Sequence, residues 1–218
     1  MSDNLKIWNA VKTVDPKYTK EVKDAGRQPF TNIDAYYLIE RATEQFGLYG
    51  QGFGLTDMVI DEVAVGTTTL IKLKATFFHP GGSFQMCNAM KLSYTTSKGY
   101  AKVDEDAYKK IITNTISKAL SYLGFGADVY MGKFEDADYV REVATEYALE
   151  EYQGYIREIK EGIASLPEEK REETVAWVLK RGGAERIETL EFDQAKAIAK
   201  IIRQKLKVKR EAKQHEDT

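Results

Sequence analysis

The segment AYKKIITNTISKALSYLG, residues 107–124, carries the densest set of side chains able to do chemistry. On a helical period Lys110, Asn114, Ser117, Lys118 and Ser121 fall on one face, and Ile112, Ile116, Ala119 and Leu123 on another. The polar face combines positive charge, an amide and hydroxyls, and holds no acidic residue. Lysine brings charge to a phosphate, and Asn and Ser bring neutral hydrogen bonds to its oxygens, so the mixture suits a sugar-phosphate backbone. Lys72, Lys74 and Lys91 upstream, with Lys98 and Lys102, extend that basic surface if the helix packs across the segments that carry them.

Other constellations are weaker. Asp104, Glu105 and Asp106 could hold a divalent metal for a nuclease, but they also stand at the start of a helix, where carboxylates favour the positive end of the dipole. The glycine-rich GLYGQGFG, residues 47–54, lacks the Lys-Ser/Thr of a phosphate-cradling loop and precedes a strand pattern, so it reads as a turn. A single cysteine, Cys87, excludes an internal disulfide, and His215 is remote in sequence from both Cys87 and His79. No nucleotide, metal or other cofactor is expected.

The elements that must position these residues belong to a chain of 218 residues, enough for one domain and an appendage. With 43% hydrophobic and 30% charged residues, the composition is that of an ordinary globular protein. No run is apolar enough to span a membrane, and the opening MSDNLKIWNAVKTVDPK has no signal-peptide core, so a cytoplasmic location is expected. The net charge of −2 conceals a sorting along the chain. Residues 1–65 carry −3, 66–133 carry +5, 134–193 carry −9 and 194–218 carry +5. A basic middle segment and a basic tail thus flank an acidic stretch, which allows a local phosphate-binding surface despite the low overall pI.

Residues 1–30 read as an irregular arm with a short helix near Lys6–Val14. Thr31 or Asn32 is placed to cap a helix through Ile33, Tyr36, Tyr37, Leu38, Ile39 and Ala42, ending at Phe46–Gly47. Three strand-like runs follow, Leu55–Val65, Thr68–His79 and Ser83–Thr95, joined by turns at Gly66 and at His79–Gly82, with a bulge expected in the second. TTSKGYAKVDED, residues 95–106, reads as a loop into a helix from Asp104 to Leu123 that Gly124 and Gly126 stop. From Ala137 the chain is helical and charged, with breaks at Ser165–Pro167 and Gly182–Gly183, core candidates Trp177, Leu190 and Ile198, and a frayed tail from Lys207 to Thr218. The expected class is α+β: a three-stranded antiparallel meander with packed helices over 1–136, and a helical region over 137–218.

The run AYKKIITNTISKALSYLGFGADVYMGKFED, residues 107–136, together with DAYYLIERATEQFGLYGQGFGL, residues 34–55, resembles the phage single-strand annealing proteins of the Sak type. These are relatives of the eukaryotic Rad-fifty-two annealing protein and more distantly of the Erf and RecT groups. The likeness covers about Trp8 to Asp136 and implies a β-β-β-α core, assembly into an oligomeric ring, and binding of single-stranded DNA in a basic groove with annealing that needs no ATP. It places Lys118 at a basic position that contacts the phosphate backbone. Ser117 and Ser121 stand where the eukaryotic relative has basic side chains, and Tyr37 where it has an arginine. Helix geometry suggests Lys109 and Lys110 as substitutes for the missing charge. The C-terminal region resembles helical appendages of recombination proteins, which implies partner binding, with host or phage recombination proteins as the partners. The rival readings are a protein that protects single strands without annealing them and a metal-dependent nuclease built on Asp104 and Asp106.

Overall fold

A computed structural model describes residues 3–23, 28–96 and 98–216, with side chains over 4–23, 28–96 and 98–207. Gly26 and the side chain of His215 lie outside the described residues. The chain forms two compact units, Met1–Val143 and Ala144–Thr218, with the division inside a helix.

In the first unit, α1 (Lys6–Val11) leads into a two-stranded hairpin of β1 (Thr19–Val22) and β2 (Phe30–Ile33), with Thr19 opposite Ile33. The sequence predicts an irregular arm here, with Thr31 or Asn32 as a helix cap. Both residues instead belong to β2, and the cap is Asp34, whose carboxylate accepts the Tyr36 N–H at 2.8 Å at the start of α2 (Ala35–Phe46). Four-residue strands containing Lys20, Glu21 and Asn32 are too short and too polar to show an alternation.

Past α2 the chain turns through Gly52, where a Cβ would stand 1.8 Å from the Phe46 carbonyl oxygen, so only glycine fits. It then builds a four-stranded antiparallel sheet of β3 (Gly54–Val65), β4 (Thr68–His79), β5 (Gly82–Thr95) and β6 (Ala101–Val103), in that order. The first three strands match the expected runs, whereas β6 replaces part of the expected loop. The bulges are on β3, where Asp57 and Met58 stand opposite a single β4 residue, and on β5 at Leu92; neither lies on β4. Asp57 takes the positive φ of 51° that this distortion imposes.

β4 alternates with period two: Ile71, Leu73, Ala75 and Phe77 are buried, while Lys72 and Lys74 are exposed. Ile71, Leu73 and Ala75 pack against Ala107 and Ile111 of α3 (Ala107–Tyr122). A larger core joins α2, α3 and the sheet through Leu38, Phe53, Phe77, Leu120 and Phe125, each buried side chain of this size contributing about 1.5–3 kcal/mol. Gly124 ends α3 at a φ of +98°, with the Trp8 ring where a Cβ would need to be, and α4 (Ala127–Tyr130) follows.

Helix α5 (Ala137–Ala164) runs on into the second unit, which adds α6 (Glu168–Gly182) and α7 (Phe192–Glu216). Their shared core holds Ile159, Val178, Leu190 and Ile198, with Trp177 packed at its margin. The backbone of α7 stays helical to Glu216, beyond the point where fraying was expected. No helix among the described residues is long and apolar enough to cross a membrane.

Candidate nucleic-acid interface

Helix α3 turns Ala107, Ile111, Thr115, Ile116, Ala119 and Leu120 inward. The stripe at three-to-four-residue spacing leaves Lys110, Asn114 and Lys118 exposed and Ser117 half-buried, which is the polar face expected from sequence. Asn114, Ser117 and Lys118 line an open cleft of about 420 Å³ whose other walls are the β2–α2 junction, Asn32 to Ala35, and Tyr130 of α4. Among the described residues Lys118 has no carboxylate partner; its Nζ lies 5.1 Å from the ring centroid of Tyr122, one helical turn on. Tyr122 and Tyr130 are 58% and 53% exposed, and Tyr36, beside the junction, is 79% exposed. The cleft therefore offers a cation, an amide and a hydroxyl beside open aromatic rings. Asp34 also lines it, with its carboxylate engaged by the Tyr36 N–H.

The other expected site residues do not converge there. Lys109 is held by Asp106 at 2.8 Å, and Lys110 by both oxygens of Asp104 at 2.8 Å. The hydrogen bonds from these lysines hold the Asp104 and Asp106 carboxyls below their ordinary range and raise Lys109. They are thus not the free charge that helix geometry suggested, and a metal at Asp104 and Asp106 would have to displace two ammonium groups. The Ser121 hydroxyl donates to the Lys118 carbonyl at 2.7 Å, which turns it toward its own helix. Tyr37 is buried, stacked on Tyr18 at 4.4 Å between centroids, and its hydroxyl accepts the Asp15 N–H at 3.3 Å, so its ring is core rather than groove.

The strand lysines split in two. Lys72 and Lys74 lie on the sheet face opposite α3, because they alternate with the residues that pack against that helix. Lys91 and Lys102 line a second cleft of about 500 Å³ with Lys110 and Tyr94, and Lys91 Nζ lies 5.4 Å from the Tyr94 ring. Lys98 is exposed in the turn before β6.

Sequence reasoning missed Tyr122, Tyr130, Tyr36 and Asn32. The signal for Tyr122 was present: it stands four residues past Lys118, off the apolar stripe. Asn32 lines the cleft, and Tyr36 follows beside it, through the β2–α2 junction, which spacing along one helix does not reveal. No known family model matches the chain, and no curated protein is detectably similar to it.

Proposed function

We propose that this chain binds single-stranded DNA along the exposed face of α3 and anneals it to a complementary strand, without ATP or metal, as a ring-forming oligomer in phage recombination within the host cytoplasm. The observation that carries this reading is Lys118: an ammonium group that makes no ion pair among the described residues, beside Asn114 and Ser117 in an open cleft, with Tyr122 and Tyr130 exposed at its edges. Lysine and amide hold the phosphates, and tyrosine rings give the bases a face on which to stack. The chemistry is physical rather than covalent: neutralising phosphates lowers the repulsion between two strands, and holding the backbone leaves base edges free to pair. Assembly is supported by the outer edge of β3, a twelve-residue strand that among the described residues pairs on its other side only, since a long open edge invites a neighbour. The second unit is assigned to partner proteins.

The exposed tyrosines also favour the rival reading of strand protection, because stacked bases resist pairing. Annealing of two complementary oligonucleotides, one labelled, separates the readings. An annealing protein speeds duplex formation in the presence of EDTA and without ATP. A protecting protein slows it, and a nuclease shortens the labelled strand unless EDTA is present.

A further inference from the structure

Within the second unit, an open cleft of about 400 Å³ lies between α6 and α7 over the end of α5. Its floor is aliphatic, built from Ile163, Leu166, Ile202 and Leu206. Trp177 forms a wall, with Lys205 Nζ 4.9 Å and Arg181 Cζ 5.8 Å from its ring centroid, and Lys170 lies one to two turns back along α6. The stretch 134–193 holds 17 acidic against 8 basic residues. Ion pairs form nearby, Lys160 with Glu188 and Arg203 with Glu158. Yet among the described residues Lys170, Arg181 and Lys205 have no carboxylate partner. Lys170 and Lys205 thus line the apolar cleft, and Arg181 stands against its Trp177 wall, with their charge available to a ligand.

We propose that this cleft docks an acidic peptide segment of a partner protein, one that carries a large apolar side chain beside its carboxylates. The aliphatic floor takes the side chain, and a carboxylate entering beside Trp177 meets Lys205, already placed by its contact with the ring, with Arg181 against the same ring. A single-stranded nucleic acid fits less well. Glu173 lines the cleft and Glu168, Glu169 and Glu172 are exposed on the same helix, so a chain with a phosphate at every step meets like charge. A peptide can place its carboxylates only where the cations stand. The inference does not rest on the strand-binding reading, which concerns the first unit.

The test uses the full chain and a fluorescein-labelled peptide of about ten residues, with aspartates around one phenylalanine and one leucine, followed by anisotropy. Two control peptides replace all aspartates by asparagine, or both apolar residues by alanine. Either control should bind about tenfold more weakly, and the Arg181→Glu/Lys205→Glu double variant should lose at least about tenfold in affinity for the parent peptide, the loss shrinking with added salt. Lys205 lines the cleft and Arg181 contacts its Trp177 wall, both exposed, and circular dichroism checks that the double variant keeps its fold. A second variant, Thr174→Trp, fills the cleft from α6 without changing charge and should also block the peptide. Binding of the asparagine peptide as tightly as the parent, or undiminished binding by the double variant, would overturn the proposal. So would a loss of oligonucleotide binding or a change of oligomeric state in the double variant, which would give the cleft to nucleic acid or to a second copy. Oligonucleotide binding is read on the same samples, so failure of strand binding and failure of peptide docking are seen separately.

Discussion

Lys110 and Asp104 form a two-pronged ion pair, the ammonium lying 2.8 Å from each carboxylate oxygen. Lys118, two turns further along the same helix, has no such partner among the described residues, so two lysines of one face differ in the charge they can give a phosphate. Lys118→Ala should weaken binding to every single-stranded sequence alike and flatten the log-log salt dependence by about 0.7, the loss of one released counterion. Lys110→Ala should change the slope less. Asp104→Asn, which keeps an oxygen for the Asp106 N–H while freeing Lys110, should steepen it. Fluorescence anisotropy across a salt titration reads all three, and a wild-type slope for Lys118→Ala would move the groove elsewhere.

Tyr122 and Tyr130 should act through their rings. Alanine at either position should weaken single-strand binding by about 1–3 kcal/mol for each base that loses its platform. Phenylalanine at either should bind as wild type does, since it keeps the face and drops only the hydroxyl. If Tyr122→Phe proved as weak as Tyr122→Ala, the hydroxyl and not stacking would be the contact.

Lys72 and Lys74 supply a control built into the sheet. Their side chains leave the face opposite α3, so Lys72→Ala/Lys74→Ala should anneal and bind nearly as wild type does. A loss equal to that of Lys118→Ala would place the strand on the open sheet face.

Strand ends were legible where chemistry marks them: β-branched and aromatic runs stop at Gly66 and at Pro80–Gly82, and β3, β4 and β5 follow those limits. The hairpin of β1 with β2, and β6, were not. Each has three or four residues and is held by pairing with the neighbouring strand across a short connection rather than by a pattern of its own. The polar face of α3 was legible because one period generates it. The neutralisation of Lys110 was not, since it depends on a loop carboxylate six residues back, held in place where the Asp104 N–H meets the Leu92 carbonyl at 2.8 Å. Tyr37, which the resemblance placed in the groove, stacks on Tyr18 from the arm, a contact that no pattern within α2 reveals.

His79 should make stability depend on pH. Its ring sits among Phe46, Phe77 and Phe84, and its Nδ1 accepts the Gly81 N–H at 3.2 Å, which puts the neutral ring's proton on Nε2. Burial pushes its pKa below the ordinary 6.5. The unfolded chain then takes up a proton that the fold resists, so this contribution is complete above pH 6.5 and is lost as pH falls from there through the folded value. His79→Phe keeps an aromatic ring and removes the titration. The stability of wild type relative to this variant, from urea unfolding, should fall between about pH 7.5 and about pH 5.5. A constant difference would show that the ring is not protonated differently in the two states.

Asp128 should show the opposite sign. Its buried carboxylate accepts the Val14 N–H at 3.0 Å, the Tyr139 hydroxyl at 3.1 Å and the Val129 N–H at 2.8 Å, tying the N-terminal arm to α4 and to the first turn of α5. Asp128→Ala leaves the Val14 N–H buried without a partner, and one orphaned donor costs about 1–3 kcal/mol. Tyr139→Phe removes only a hydroxyl and should cost less. Because both changes act on one carboxylate, their effects should not add, and a double-mutant cycle should return a coupling of about 0.5 kcal/mol or more. Burial outweighs the three hydrogen bonds and holds the Asp128 carboxyl above its ordinary 3.8. The unfolded chain therefore ionises first as pH rises, and the fold loses part of what Asp128 contributes as pH climbs from 3.8 through the raised folded value. Asp128→Ala should accordingly cost more at a pH just below 3.8 than at about pH 7.5. An equal cost at both, measured by urea unfolding, would mean that the three donors offset the burial completely.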